Sequence, residues 1–388
     1  MTPPPTPGPG AFSLPEEVRY LNCAFMSPLP RRVEEAGHRA LRRQRCPVDY
    51  GTGDFFGAAD RVREAFCELV AGDDPSRVAL VPAVSYGAAL VARNLELAPG
   101  QAVVLAGEQF PSHVYPWTRL AREAGAEMRR VERPEVGSDE GVADRWTERI
   151  LEAVDRDAAL VALPQAHWTD GTLFDLEAVG RRTREVDAAL VVDGTQTVGA
   201  HPFDVGAVRP DALLCAGYKW LLGPYGLGVA WMGERFADAR PLEETWLGRR
   251  GSEDFAGLVD YREDYRPGAD RLDMGERSQF VLGPMLAEAL ELLAGWGVET
   301  VADRCRELTD RAAEGARRAG WRAEPSAGRC ANIVGLGAPA GRDPAAVGRR
   351  LEERGIHVSL RGDAIRVSPN VYNTVADVDA LVEALEAG

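Results

Sequence analysis

Short apolar runs alternate with longer amphipathic segments along much of the chain. The runs cover residues 78–81, 102–106, 158–163, 189–192, 212–214 and 228–231. A run that is apolar throughout is typical of a strand buried on both faces, and helices between such strands cover both faces of a parallel sheet. The pattern therefore predicts an α/β fold with a mostly parallel sheet.

Length and a change of pattern predict two folded units. The chain has 388 residues, more than one ordinary core accommodates. Past the middle the runs give way to a long helical stretch and a smaller α+β pattern. We predict four parts: a disordered Pro/Gly-rich tail (1–11), an N-terminal arm joining the small domain (12–30), a large domain (31–265) and a small C-terminal α+β domain (266–388).

Charge and cysteine usage exclude several function classes. The net charge is −15, which argues against a nucleic-acid partner because phosphate backbones are bound by clustered Lys and Arg. We expect no membrane span, since no apolar run reaches about 18 residues. The cysteines lack metal-ligand and CxxC spacing, so we expect no metal site and a reduced, cytoplasmic location. Residues 1–10 lack the basic and apolar regions of a signal peptide, so we expect none there.

Lys219 lies in an apolar, aromatic segment (215–224) that runs into a glycine-rich stretch (223–228). Burial disfavours the charged form of a lysine and makes its amine more nucleophilic. Schiff-base chemistry with a carbonyl cofactor requires such an amine. The alternative is a lysine that extends to the surface beside a core strand.

Polar or flat side chains follow three other apolar runs. Open α/β sheets bind ligands at the carboxyl ends of their strands. Asp193 there could pair with a protonated ring nitrogen, or cap a helix. Ser85 opens a helix whose first amides would hold a phosphate, or is itself a cap. The segment 109–117, which contains Phe110, could stack on a heteroaromatic ring or pack in the core.

Taken together, these residues resemble the class V aminotransferase family of pyridoxal-phosphate enzymes, which has the type I fold. The resemblance runs from residue 20 to the C-terminus. It is most specific at Asp193-x-x-Gln196-x-x-Gly199, at Lys219-Trp220 and at the glycine-rich run that follows. Its branch includes cysteine desulfurases, kynureninases and isopenicillin N epimerase-like proteins.

The resemblance implies pyridoxal 5′-phosphate as cofactor, bound by the large domain. Lys219 would form the internal aldimine, and Asp193 would form a salt bridge with the pyridine nitrogen. Gln196 would contact the ring hydroxyl. Phe110 falls where an aromatic ring or histidine stacks on the cofactor.

Further positions follow from the same resemblance. Tyr218 stands where kynureninases have a tyrosine that reaches the phosphate, with Val84 and Ser85 at the helix start beside it. His167 lies near the expected place of the ring hydroxyl. It could orient the cofactor or move protons, since its ordinary pKa is near neutral, or it is a packed loop histidine.

The substrate side is also implied. Arg366 falls where the family places the arginine that binds the substrate α-carboxylate, a role suited to a guanidinium fork. Asn22 and Ala24 match an N-terminal segment that lines the pocket. Residues near Gly275 would reach the neighbouring site in a homodimer. No cysteine occurs in residues 355–363, where desulfurases carry their nucleophile, so we expect no persulfide chemistry.

These features predict an enzyme that acts on a small-molecule α-amino acid through an external aldimine and Cα deprotonation. A β-eliminating lyase, such as a C–S lyase, is the preferred reaction. Transamination and epimerisation on the same scaffold are the alternatives. A non-catalytic cofactor-binding protein is a third interpretation, while a dinucleotide site would need a GxGxxG motif after the first strand.

Overall fold

The computed structural model describes residues 6–135 and 141–387. The tail predicted for residues 1–11 lies partly outside the described residues. In its described part Pro9–Ala11 form a 3-10 turn, and the Ala11 side chain is buried.

Helices and strands alternate as the apolar runs indicate. The helices are α1 (Arg31–Arg43), α2 (Gly57–Leu69), α3 (Val84–Arg93), α4 (Tyr115–Ala124), α5 (Val142–Ala153), α6 (Leu176–Val186), α7 (Val205–Val208), α8 (Leu282–Trp296), α9 (Val298–Arg318), α10 (Pro344–Glu353) and α11 (Val375–Glu386). The strands are β1 (Arg19–Tyr20), β2 (Val78–Val81), β3 (Ala102–Ala106), β4 (Glu127–Val131), β5 (Ala158–Pro164), β6 (Ala189–Asp193), β7 (Ala212–Ala216), β8 (Gly228–Met232), β9 (Val334–Gly337), β10 (Ile356–His357), β11 (Ser359–Arg361) and β12 (Ala364–Val367).

A seven-stranded sheet forms the centre of the large unit, in the order β2-β8-β7-β6-β5-β3-β4. Strand β8 runs antiparallel to both of its neighbours, and the other pairings are parallel. Strands β2, β3, β5, β6, β7 and β8 are buried almost throughout, which is why they read as continuous apolar runs. The mostly parallel α/β sheet is therefore confirmed.

The C-terminal unit contains a three-stranded antiparallel sheet, β11-β12-β9, covered by α9, α10 and α11. Helix α8 packs on α1 and α2 of the large unit. The predicted division at residue 265 stays a prediction. No helix in residues 6–135 and 141–387 is both long and apolar enough to cross a bilayer.

The N-terminal arm connects the two units. Strand β1 pairs in parallel with β10, and Asn22 forms a bridge with Ser368. A few residues later, the Ser27 amide donates to the Tyr218 carbonyl of the large unit at 3.0 Å. The arm therefore makes backbone contacts with both units beside Lys219.

Candidate active site

A cavity of about 240 Å³ lies where five strands end. Its walls come from the residues that follow β2, β3 and β5, from Asp193 at the end of β6, and from residues 216–219 after β7. Because these strands are parallel, their carboxyl ends meet at one edge of the sheet. The alternation of strands and helices thus places the polar residues in one cavity.

Lys219 is buried in this cavity, with 6% of its surface exposed. Its Nζ lies 5.4 Å from the centre of the Phe110 ring and 5.7 Å from that of Tyr218. Burial lowers the pKa of its amine to about 8, and the positive charge of Arg366 contributes to the shift. About a tenth of this amine is therefore unprotonated at pH 7, far more than in an ordinary lysine.

Asp193 and His113 lie in the same wall. The Asp193 Oδ1 accepts the Thr195 amide at 2.9 Å, and the Thr195 hydroxyl accepts the Ala216 amide at 3.1 Å. The His113 Nε2 is buried without a hydrogen-bond partner among the described residues. Burial lowers the pKa of His113, so its imidazole is neutral beside the carboxylate.

Gln196 lines the cavity with both ends of its side-chain amide fixed. Its Nε2 donates to the Ala24 carbonyl at 3.1 Å, and its Oε1 accepts from the Trp220 indole at 3.1 Å. The Asn332 side chain donates to the Gln196 carbonyl at 2.8 Å. Ala24 thus acts on Gln196 through its backbone and does not itself line the cavity.

The start of helix α3 closes one end of the cavity with Ala83, Val84 and Ser85. Amides in the first turn of a helix have no acceptor within the helix, so they bind anions. Tyr218 and Tyr225 line the cavity as well, with ring centres 4.5 Å apart, and burial raises the pKa of Tyr218. This end is suited to a phosphate.

Arg366 on β12 is almost fully buried and is not among the residues that line the cavity, although its charge acts on Lys219. It donates from Nη1 to the Trp168 carbonyl at 2.8 Å and from Nη2 to the Ser359 hydroxyl at 3.5 Å. Its Nε has no partner among the described residues, and none of their carboxylates lies within 4.0 Å. Asn22 holds the Ser359 hydroxyl beside Arg366, because its Oδ1 accepts from Ser359 Oγ at 2.7 Å.

His167 does not line the cavity. Its Nδ1 lies 2.7 Å from the Thr169 hydroxyl and its Nε2 lies 3.2 Å from the Gly107 carbonyl, while its ring packs 5.1 Å from that of Trp146. Burial lowers the pKa of this imidazole. The geometry favours the packed loop histidine over a residue that moves protons.

Residues missing from the predicted site include His113, Trp168 and Tyr225, which line the cavity, and Arg361, whose charge acts on Lys219. Trp168 lies in the loop after β5, so the rule that pointed to Asp193 also indicates it. Its ring centre is 5.5 Å from that of Phe110. Arg361 gives no such signal, since its polar segment resembles any surface hairpin.

The model of the class-V aminotransferase family matches residues 20–381. The chain belongs to the class-V aminotransferase family. This confirms the family and the enzyme class expected from the sequence.

The chain is similar to several known proteins along nearly its whole length. It is 29% identical to isopenicillin N epimerase of Streptomyces clavuligerus, over 97% of the chain and 96% of the relative. It is 27% identical to a probable cysteine desulfurase of Pyrococcus abyssi, over 96% and 94%. The apo cysteine desulfurase structure from Thermococcus onnurineus NA1 superimposes with a TM-score of 0.81 at 20% identity, covering 96% and 94%.

Class-V aminotransferases use pyridoxal phosphate, which confirms the expected cofactor. The residues of this cavity fit that group. The unpaired His113 Nε2 and the Asp193 carboxylate suit a pyridine ring, the α3 amides suit a phosphate, and Lys219 offers the amine. Within the described residues no group of three or more His, Cys, Asp or Glu side chains could hold a metal.

Proposed function

We propose that this enzyme removes the Cα proton of an α-amino acid and expels a substituent from the β-carbon. One observation carries the proposal. A buried lysine that lines the cavity has its pKa lowered in part by the charge of Arg366, a buried guanidinium without a carboxylate partner among the described residues. An incoming carboxylate would supply the missing partner and bring Cα near the amine.

Each residue has a distinct task in this proposal. When bound, pyridoxal phosphate supplies an aldehyde for the substrate amine and a ring that accepts the electron pair left at Cα. Arg366 binds the α-carboxylate, and Asp193 holds a proton at the ring nitrogen. The first amides of α3 bind the phosphate, and Gln196 orients the ring from its fixed position.

Lys219 moves the proton. Its Nζ takes the proton from Cα as general base and then donates it to the departing β-substituent, so a single base serves both steps. The substituent leaves as its conjugate acid, and hydrolysis of the remaining enamine gives a keto acid and ammonia. Inversion would instead need a proton delivered to the opposite side of Cα.

Cysteine placement supports elimination over sulfur transfer. No cysteine is among the residues that line the described cavity. Cys23, Cys215 and Cys330 are buried, and burial raises the pKa of each thiol, so each stays protonated and unreactive. A desulfurase needs an accessible thiolate to accept sulfur.

Epimerisation is the second candidate. It is favoured by the 29% identity to isopenicillin N epimerase, which spans 97% of the chain. The same Cα deprotonation would begin that reaction, and the β-bond would stay intact.

We further propose a homodimer in which the segment near Gly275 reaches the neighbouring site. Neither Gly275 nor Glu276 lines the cavity of its own chain, and the Glu276 side chain is exposed. The two-fold symmetric arrangement would present this segment to the partner.

A substrate screen tests the proposed reaction. Amino acids, including S-substituted cysteines, are incubated with the enzyme in D₂O, and keto acid, ammonia and Cα deuterium are measured. Keto acid and ammonia without an added acceptor support elimination. Deuterium at Cα with a changed configuration and no keto acid supports the epimerase, while dependence on a keto-acid acceptor identifies an aminotransferase. Any result without acceptor-independent keto acid and ammonia overturns elimination, and absence of all three signals also overturns the proposed removal of the Cα proton.

A further inference from the structure

Arg361 is a second guanidinium beside the site that the proposed roles leave unused. It ends strand β11, where Arg361 pairs with Ala364 and Ser359 pairs with Arg366. Residues directly opposite in an antiparallel pair, and residues two apart along a strand, point to the same face. Arg361 and Arg366 therefore leave the same face of the sheet as diagonal neighbours, about 7–8 Å apart at their backbones.

Trp168 connects both guanidinium groups to the cavity. Its carbonyl accepts from Arg366 Nη1 at 2.8 Å, and the Arg361 Cζ lies 5.1 Å from the centre of its indole ring. Trp168 itself lines the cavity, where its ring meets that of Phe110. Arg361 and Arg366 therefore both contact Trp168, a residue that lines the cavity.

The positive charge of this pair is not neutralised within the described residues. The Arg361 Nε is buried without a partner, and its Nη1 donates only to the Leu360 carbonyl at 2.6 Å. The acidic residue nearest in sequence, Asp363, lies 3.5 Å from Arg322 instead. Two like charges side by side on a sheet are destabilising unless an anion joins them.

We propose that Arg361 binds a second carboxylate of the substrate, so that the enzyme prefers dicarboxylic α-amino acids. This inference rests on the proposed function, in which Arg366 takes the α-carboxylate. Arg361 would fix the far end of the substrate by a guanidinium fork, with the indole of Trp168 holding the guanidinium flat. It selects the side chain and leaves the chemistry at Cα to Lys219.

Binding of unreactive acids tests the inference without relying on turnover. The cofactor-loaded enzyme is titrated calorimetrically with succinate, glutarate and adipate, and with the monocarboxylate pentanoate, which has the same length as glutarate. We expect at least one dicarboxylate to bind about tenfold more tightly than pentanoate. Arg361→Met should remove that preference and leave pentanoate binding unchanged, while Arg366→Met should weaken both acids.

Two further variants complete the test. Arg361→Lys should keep part of the preference that Arg361→Met loses, because the lysine ammonium retains the positive charge but cannot bind a carboxylate bidentately. Arg349→Met on α10 removes the same charge from an exposed position of the same unit, and should bind both acids like the parent enzyme. Equal affinity for the two kinds of acid, or equal weakening of both by Arg361→Met, overturns the inference.

The failure of each proposal has its own signature. If the proposed function fails, no amino acid yields keto acid and ammonia without an added acceptor, yet the preference for dicarboxylates persists. If only the further inference fails, Cα exchange occurs but shows no preference for glutamate over glutamine, and Arg361→Met leaves the KM for either unchanged.

Discussion

Lys219 is held away from water beside two other positive charges. The pKa of its amine is about 8, well below the usual value for lysine, because burial and Arg366 both disfavour the protonated form. Capture of pyridoxal phosphate by the cofactor-free protein requires the unprotonated amine. We predict that the capture rate rises about tenfold from pH 7 to pH 9 and then levels off.

The rate is measured by the absorbance that appears when cofactor and protein combine. Lys219→Ala should show no such absorbance at any pH. Arg366→Met removes a positive neighbour, which raises the pKa of Lys219, so the plateau should move to higher pH. A rate that keeps rising tenfold per pH unit to pH 10 in the parent protein contradicts the prediction.

The sequence allows a cavity position to be inferred for residues near a strand end. Asp193 is the last residue of β6, Lys219 follows shortly after β7, and both line the cavity. Other contacts depend on segments far apart in the sequence. The hydrogen bond from Ser359 to Asn22 joins residues at opposite ends of the chain. The ring of His167, a loop residue, packs against Trp146. No local pattern carries that information.

At the scale of elements, the turn after β6 depends on Gly199. Its φ is +98°, and a Cβ atom there would collide with the Trp220 carbonyl oxygen. Gly199→Ala therefore combines backbone strain with a steric clash, and we predict a loss of about 1–3 kcal/mol or more in unfolding free energy, measured by urea titration. Cofactor affinity should fall too, because this turn carries Gln196.

Gly226 provides the matched control. Its φ is +90°, but the nearest atom to an added Cβ is 3.9 Å away. Gly226→Ala should lower the unfolding free energy through backbone strain alone, without a steric clash. If both variants lose the same stability, the contact with Trp220 is not what requires glycine at position 199.

The segment before α8 is held by a buried charge cluster. The Asp273 carboxylate accepts from Arg63 on α2 and from Arg277, each at 2.5 Å, and from the Leu80 amide on β2 at 2.7 Å. Asp273→Asn removes the negative charge that both buried guanidinium groups contact, so their positive charges are less well neutralised. We predict a loss of about 3–5 kcal/mol in unfolding free energy by urea titration.

Asp238→Asn is the control for the loss of a carboxylate. Asp238 is fully exposed and lies 3.9 Å from Arg271, so its removal should leave the urea midpoint unchanged. An Asp273→Asn midpoint equal to that of the control would show that the cluster does not stabilise this segment.

Strands of different burial were predicted with different success. Strand β4 was missed because its residues, Glu127–Val131, are mostly charged and partly exposed at the sheet edge, so they lack an apolar run. The antiparallel direction of β8 could also not be predicted from the sequence. Its residues are as apolar as those of the parallel strands, and direction follows from the length of the connection rather than from composition.

At the scale of the whole molecule, the proposed dimer makes a prediction about mixtures. Lys219→Ala lacks the base, and Gly275→Glu would place a negative charge near the neighbouring phosphate. Each variant alone should be inactive. A mixture that exchanges subunits should recover about a quarter of the parent activity, because half of the dimers are mixed and each mixed dimer has one intact site.

Sedimentation velocity and thermal unfolding serve as controls that each variant is folded and dimeric. No recovery after subunit exchange, or a monomer at all concentrations, contradicts the shared site.

The N-terminal arm has a consequence for how the protein is made. Strand β1 pairs with β10, which is synthesised more than 330 residues later, and Asn22 pairs with Ser368, which is synthesised later still. At ribosomal rates of about 5–20 residues per second, the arm stays without its strand partner for roughly 20–70 s. The sheet of the large unit can form earlier. The Ala24 carbonyl that accepts from Gln196, and the Asn22 side chain that accepts from Ser359 beside Arg366, reach their final positions only when the arm docks. The nascent chain is thus unable to assemble its reactive cavity until nearly all of the small unit has been synthesised.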